Sequence, residues 1–375
     1  MSERAAITQA IRERAHSLAF DLVGFAPLDA PAHADFFRWW LEQGYAGEMH
    51  YLHRTADARC DPQQVLPSAK SAVVVGLNYA PAVSIVTDDP SRGVFARYAL
   101  GEDYHEVMTQ RLRQLLEYIR QLRPDCQAKI YVDAGPVLER DLAWRAGLGW
   151  FGKNTMLINT RRGSYFLIGE ILLNIELEYD QPAFGGCGTC TRCIDACPTG
   201  AIVAPYVLDA PRCISYLTIE LRGSIPEEHR SQMGNRIFGC DICQEVCPFN
   251  HPRPHAPERA SPTHEPAFAP REITLTPKLV DLLRMREEEF RTAFRRSPVK
   301  RAKWRGFRRN VAVALGNSGQ EEALQVLQQE LAHETDPMVR EHLEWALDRL
   351  AERKAVARHR SFPLAWRKSG LSEDR

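Results

Sequence analysis

Eight of the ten cysteines fall between Cys187 and Cys247. The first run reads Cys187-x2-Cys190-x2-Cys193-x3-Cys197-Pro198, the spacing with which bacterial ferredoxins ligate iron–sulfur clusters. The second, Cys240-x2-Cys243-x3-Cys247-Pro248, lacks only a leading cysteine, which Cys213 can supply from a distance. Eight thiolates make two four-cysteine sites, hence two 4Fe–4S clusters. In two-cluster ferredoxins the fourth cysteine of each run crosses to the other cluster. The expected sets are therefore Cys187, Cys190, Cys193 and Cys247 for one cluster, and Cys197, Cys213, Cys240 and Cys243 for the other. Zinc and disulfides are the alternatives. Zinc sites favour two CxxC pairs or mixed Cys/His ligands and do not require this string; disulfides need an oxidising compartment.

Other residues could do chemistry. Asp133 closes the apolar run Lys129–Val132 and precedes Gly135-Pro136, at a strand end where α/β sites gather. Partial burial would raise its pKa and suit it to donating a proton near neutral pH; an Asx turn or a helix N-cap is the plainer reading. Asp103-Tyr104-His105 begins a long helix, with Asp103 as an ordinary N-cap the bland alternative. Gly149-Trp150-Phe151-Gly152-Lys153-Asn154 is a structural turn or an anion-approaching loop. Residues 291–310 hold nine cations and no acid: Arg291, Arg295, Arg296, Lys300, Arg301, Lys303, Arg305, Arg308 and Arg309, with Trp304 and Phe307 interleaved. The run suits phosphate contacts, or forms a solvated helix face. Cys60 and Cys126 match no ligand spacing.

The elements that must position these groups are legible in outline. A chain of 375 residues has room for two or three domains. Formal net charge is +0, so attraction to nucleic acid must come from a local patch. An amphipathic helix is expected over 4–20 and strands at 21–28, 71–80, 129–132 and 164–177. Helices are expected at 36–41, from about 103 to 120, and around Glu139–Trp144, with polar loops at 53–62 and 81–93. A mixed α/β domain thus spans 1–180, the cysteine module 181–255, and, after a Pro/His-rich linker, helices fill 271–360. Their spacing at 304–316, 320–333 and 337–352 resembles one HEAT-type unit. The charged N-terminus lacks an apolar signal core. No apolar run is long enough to span a membrane. Grouped rather than paired cysteines point to the reducing cytoplasm.

Six strings carry a wider resemblance: YALGEDYHEV, VDAGPVLER, RAGLGWFGKNTMLI, CGTCTRCIDACPTGAI, CISYLTIELRG and GNRIFGCDICQEVCPFN. Together they resemble the epoxyqueuosine reductases, cobalamin-dependent iron–sulfur enzymes of tRNA queuosine synthesis. The resemblance implies a cobalamin-binding domain related to reductive dehalogenases, a ferredoxin-like module with two 4Fe–4S clusters, and a HEAT-like helical domain that binds tRNA. It implies reduction of epoxyqueuosine to queuosine at the wobble position by base-off cobalamin as cob(I)alamin, fed with electrons from the clusters. By resemblance Asp133 is the proton donor, and Asp103, Tyr104, His105 and Arg140 line the substrate pocket. Arg59, Asp133, Lys153, Asn154, Ser215, Cys240, Asp241, Ile242 and Cys243 would meet the cobalamin. Arg222 and the basic residues from Arg295 to Arg309 would meet the tRNA. Met108 stands where the DxHxxG cobalt-ligand signature has glycine, so His105 is not expected to ligate cobalt. The expected partners are tRNA and an electron donor such as ferredoxin or flavodoxin, with the protein a monomer. The alternative is a corrinoid reductive dehalogenase-like enzyme acting on a small molecule. It would have no use for the basic run, and the export signal usual in secreted dehalogenases is not found. A third reading is an electron carrier with an RNA-binding tail.

Overall fold

The computed structural model of the protein describes residues 2–82 and 87–360, with side chains in the last helix as far as Arg353. The loop expected over 81–93 lies partly outside the described residues. The β-branched run Ser71–Asn78 is buried along its whole length, so it must be covered on both faces. It pairs antiparallel with Leu22–Pro27 on one side and Phe166–Leu173 on the other. Ala128–Tyr131 pairs with Phe166–Leu173 and forms the edge. Side chains alternate across the sheet. Val73, Val75, Ile171 and Leu173 pack under the helices Glu3–Ser17 and Tyr104–Leu122, through Ile11, Met108, Leu112 and Leu115. Ala72, Val74 and Leu172 face Val137, Leu142 and Ala143, around the helix Glu139–Arg145.

Two expectations are corrected. The main sheet is antiparallel throughout, so Asp133 follows an antiparallel edge strand, and the rule for carboxyl ends of parallel strands does not apply to it. The polar segment 53–62 is not a loop: it forms short helices at His50–Arg54, Ala56–Cys60 and, continuing, Pro62–Val65. Arg59 Nε donates to Thr55 Oγ1 at 2.9 Å, and Arg59 Nη1 to the Val137 carbonyl at 2.8 Å.

The C-terminal helices Lys303–Ser318, Glu321–His333 and Pro337–Arg360 start and cross as the sequence dictates. Asp336 accepts from the amides of Met338 and Val339. Gly316 lets the first and third helices touch, since a Cβ there would lie 2.8 Å from the Cα of Ala346. Their core is not self-contained. Phe95, Leu100, Ile237 and Phe238 pack into it with Phe294, Phe307, Val311 and Leu343, and Arg236–Phe238 pairs in parallel with Val94–Phe95.

Arg309 joins this body to the cysteine module. It is fully buried and donates to the carbonyls of Leu217, Leu221 and Gly223, at 2.6, 3.0 and 2.5 Å. Asn310 donates to the carbonyls of Thr218 and Ile237. Each buried carbonyl left without a donor costs ~1–3 kcal/mol. Arg309→Ala should therefore lower the urea-unfolding stability of the holoprotein by about 3 kcal/mol or more. Arg305→Ala, at an exposed pair with Asp336, should cost less than about 1 kcal/mol. Equal effects would remove the clamp.

Candidate active site and cluster module

Asp133 lies in the turn between the edge strand and the helix Glu139–Arg145, with a left-handed φ of 59°. That region disfavours most side chains, so neighbours must hold the turn. The Asp133 amide donates to Glu139 Oε2 at 3.2 Å, and the Tyr104 hydroxyl donates to Asp133 Oδ2 at 2.6 Å. His105 places Nε2 3.6 Å from Asp133 Oδ2 and Nδ1 2.7 Å from Asp103 Oδ1. Asp103 also caps the helix by accepting the His105 amide. The two readings of Asp103 therefore coincide: the cap that starts the helix also orients the imidazole beside Asp133.

This arrangement overturns the expectation that burial raises the Asp133 pKa. Burial does push it upward, but the contacts from His105 and Tyr104 outweigh that and hold it below the usual carboxylate range. The side chain faces an open cavity and is 59% accessible to water, although protein encloses it on its other sides. Burial disfavours the His105 cation, yet Asp103 and Asp133 raise its pKa to about 9. The resting proton thus sits on His105, with Asp133 ionised.

The cavity, about 570 Å³, is walled by Phe37, Trp40, Tyr51 and Phe151. Arg59, Asp133, Glu139 and Arg140 also line it. Arg140 is anchored by a 2.5 Å hydrogen bond to the Thr155 carbonyl. Glu139 was missed by the sequence reading. Burial, and then the charge of Asp133, push its pKa up to about 7. Glu170 was missed too. It is fully buried in the strand Phe166–Leu173, and burial drives its pKa well above the ordinary value. Its signal was available: a lone acid inside FLIGEILL.

Cys187, Cys190, Cys193 and Cys247 line a second cavity, of about 630 Å³, with Asn154, Ile158 and Phe249. Cys213 lies within electrostatic reach of Cys197, Cys240 and Cys243, and Cys243 is also within reach of Cys193. Burial first, then neighbouring thiols, push Cys193 up to about 11. Cys240 rises to about 12, through burial above all. Partly buried thiols gathered in this way suit iron–sulfur clusters, whose positive irons would hold them as thiolates. The hairpin of Trp150–Phe151 with Leu157–Ile158 plugs into this module. Lys153 Nζ donates to the carbonyls of Gly188 and Cys190, and Asn154 Nδ2 to that of Cys243.

Of the residues expected around a corrin, Arg59 and Asp133 line the aromatic cavity, while Lys153, Asn154, Ser215, Cys240, Asp241, Ile242 and Cys243 do not. The Asp241 carboxylate is buried and committed to the Arg97 amide at 2.7 Å. Lys153 is committed to the cysteine loop.

Residues 186–250 match the family described as 4Fe-4S double cluster binding domain, and residues 59–134 match Epoxyqueuosine reductase QueG, DUF1730. The epoxyqueuosine reductase of Escherichia coli (strain K12) is 40% identical over 351 residues, covering 93% of this chain and 90% of that one. That of Xanthomonas campestris pv. campestris is 42% identical over 342 residues, covering 90% and 94%. The chain belongs to the epoxyqueuosine reductase family. It is, with that family, an oxidoreductase. Among solved structures, epoxyqueuosine reductase from Bacillus subtilis, with its catalytic aspartate loop swung out of the active site, superimposes with a TM-score of 0.82. It is 30% identical and covers 96% of this chain and 95% of its own. An epoxyqueuosine reductase crystallised with an epoxyqueuosine-modified tRNA-Tyr stem loop superimposes with a TM-score of 0.75 at 30% identity, covering 92% and 99%. No helix among the described residues is long and apolar enough to cross a membrane.

The basic segment of this reductase differs from its sequence expectation. Arg308 and Arg309 are buried. Arg308 pairs with Glu330 and Glu334, and Arg309 is spent on the cysteine module, so neither has a face for RNA. Phe307 is core and Trp304 packs on Phe290, so neither offers a stacking platform. The acids absent from the run arrive from elsewhere: Glu102 and Glu106 to Arg296, Glu220 to Arg301, and Asp336 to Arg305. Arg295, Lys300 and Lys303 are exposed, with no ion pair among the described residues. The segment borders the site: the Arg296 carbonyl accepts the Asp103 amide at 2.8 Å. Arg301 lies 5.9 Å from the ring of Tyr51, and Arg222 donates to the Arg301 carbonyl.

The raised pKa of His105 has a thermodynamic consequence. The folded protein holds a proton that the unfolded chain releases near its ordinary value of 6.5. Its stabilising contribution is therefore full below that pH and lost as pH rises through about 9. Unfolding midpoints should fall across this window, less steeply in His105→Gln. An NMR titration of His105 at its ordinary value would remove the Asp103–His105–Asp133 pairing.

Proposed function

We propose that this protein reduces epoxyqueuosine to queuosine at the wobble position of a tRNA anticodon, with Asp133 delivering a proton to the leaving oxygen. The observation that carries the reading is Asp133, held by Tyr104 and His105, at the wall of an aromatic cavity that Arg59 and Arg140 also line. Opening the epoxide and releasing its oxygen as water takes two electrons and two protons. The two cysteine groups are read as ligands of two 4Fe–4S clusters, in the crossed sets that the spacing suggests. The cavity's broad apolar walls, with Arg59 at one side, fit the chemistry of a corrin ring. When bound, cobalamin supplies a reduced cobalt centre for two-electron chemistry, and the clusters supply electrons one at a time.

This chain's own residues then act on protons and position. Tyr104 fixes the Asp133 carboxyl, and Asp103 fixes His105. A base splayed into the cavity excludes water, disfavours ionised Asp133, and draws the His105 proton across to it. Arg140 faces the same space. Arg295, Lys300 and Lys303, with Arg222 and Arg301 at the rim, hold phosphates, and the C-terminal helices are read as a HEAT-like platform for the stem. The protein would act as a cytoplasmic monomer fed by a one-electron carrier such as ferredoxin or flavodoxin.

Anaerobic incubation with cobalamin, a reductant and epoxyqueuosine-containing tRNA should yield a nucleoside lighter by one oxygen. An unchanged mass would refute the reading. Anaerobically purified protein should hold about eight irons, four for each four-cysteine site; half that content would sink the ligand sets. Asp133→Asn should bind tRNA normally and lose turnover, whereas undiminished activity would exclude it as the donor. Reversing charge at Arg295, Lys300 and Lys303 should weaken tRNA binding and reduce the slope of log K against log salt by about 3. An unchanged slope would place the phosphates elsewhere.

A further inference from the structure

Arg296 occupies the turn that follows the helix Glu287–Ala293, with a left-handed φ of 55°. Glycine enters that region freely, whereas other residues are disfavoured there. Phe294 and Ser297 are buried on either side. Arg271 donates to the carbonyls of Ala293, Arg295 and Arg296, at 3.1, 2.9 and 3.0 Å. The turn is therefore held without the Arg296 side chain. Glycine would suit this backbone better, so the arginine answers a demand on its guanidinium.

That guanidinium reaches across to the start of the helix Tyr104–Leu122. Nη2 lies 3.1 Å from Glu102 Oε2, and Nε donates to Glu106 Oε2 at 2.9 Å. These two acids flank Asp103, Tyr104 and His105 in the chain. The Arg296 carbonyl meanwhile accepts the Asp103 amide at 2.8 Å. One residue thus grips the segment 102–106 at three points. The Arg296 and Glu106 side chains are both about half exposed. Exposed ion pairs contribute little to global stability. A planar fork shared between two carboxylates does fix their relative placement. What lies between them is the Asp103–His105 pair, 2.7 Å apart, and the His105 imidazole 3.6 Å from Asp133.

We propose that Arg296 is a positioning residue: its guanidinium holds Glu102 and Glu106 so that Asp103 keeps His105 against Asp133. It is then not one of the phosphate contacts that its place in a basic run suggests. The inference deepens the proposed reduction and rests on it only for the role of Asp133. A displacement of the imidazole by ~1 Å would break the row, and misplacement on that scale lowers rates by about tenfold to a hundredfold.

The test uses histidine-labelled holoprotein with Arg296→Gly, which keeps the turn and removes the fork. In the wild type the His105 Nδ1 proton, bonded to Asp103, should give a low-field resonance that Asp103→Asn assigns. Arg296→Gly should shift and broaden it while leaving the urea-unfolding midpoint unchanged. This readout needs no substrate, so it judges the inference even if epoxyqueuosine is not reduced. An unchanged resonance would overturn the inference. So would a perturbed resonance accompanied by a lower midpoint, which would make Arg296 a structural support. At saturating epoxyqueuosine tRNA, Arg296→Gly and Glu106→Ala should each slow single turnover by about tenfold. The slope of log K against log salt should stay at its wild-type value in Arg296→Gly. Full rate at saturation with a slope reduced by about 1 would make Arg296 a phosphate contact and overturn the inference.

Discussion

A guanidinium removed from water must find protein acceptors for its donors. Arg309 meets that demand with backbone carbonyls at Leu217, Leu221 and Gly223. All three lie in the segment between Cys213 and Cys240, which would otherwise be a long connection with unsatisfied carbonyls. Asn310 extends the clamp to Thr218 and Ile237. The strand holding Ile237 pairs with Val94–Phe95, whose chain continues to Asp103 and His105. One buried cation thus links the placement of the second cysteine group to the placement of the imidazole beside Asp133. Burial lowers its pKa to about 10, still charged at neutral pH, so the clamp holds through charge-assisted bonds.

The site is built by alternating charge and then breaking the alternation. Asp103, His105 and Asp133 form a carboxylate–imidazolium–carboxylate row. Beyond Asp133 the next two ionisable groups inward, Glu139 and Glu170, are again acids, offset by Arg140, the Asp133 amide and Arg59. A row of three acids cannot all ionise in a poorly solvated interior. The outermost, paired with His105 and open to water, ionises most readily; the innermost, without partners, stays neutral. Protonation is therefore graded with depth, and what fills the cavity decides how far the gradient shifts.

Features imposed locally were legible in the sequence. Ligand spacing is a local constraint, and the two cysteine runs stand out for that reason. The strand Ser71–Asn78 and the N-cap at Asp103 are equally local. Features imposed across the chain were not. The basic run contained no acid, yet Glu102, Glu220, Glu330 and Asp336 fold onto it, and two of its arginines vanish into the interior. Asp133 was found, but the direction of its pKa depended on whether burial or partners won, and His105 and Tyr104 decide that only in three dimensions. Glu139 was hidden because it reads as an ordinary first-turn acid of a helix. Glu170 broke the pattern of an apolar strand, which is the kind of local inconsistency that marks a functional demand.

The ionised resting state of Asp133 also bears on selectivity for the proposed reaction. A strongly reducing centre beside a protonated acid loses its electrons to protons, so a donor that is neutral at all times would uncouple the enzyme. On the proposed mechanism, Asp133 carries no proton until water is displaced. Arg59 and Arg140 line the cavity, and Arg301 lies beside its wall residue Tyr51, cations that a small neutral molecule would not need. A macromolecular substrate that inserts one base and seals the rim around it with phosphates supplies both conditions at once: it brings the epoxide and dries the acid. On this reading, substrate recognition at the rim and proton availability at Asp133 are a single event, and the cost of an exposed aspartate in a left-handed turn is what makes that coupling possible.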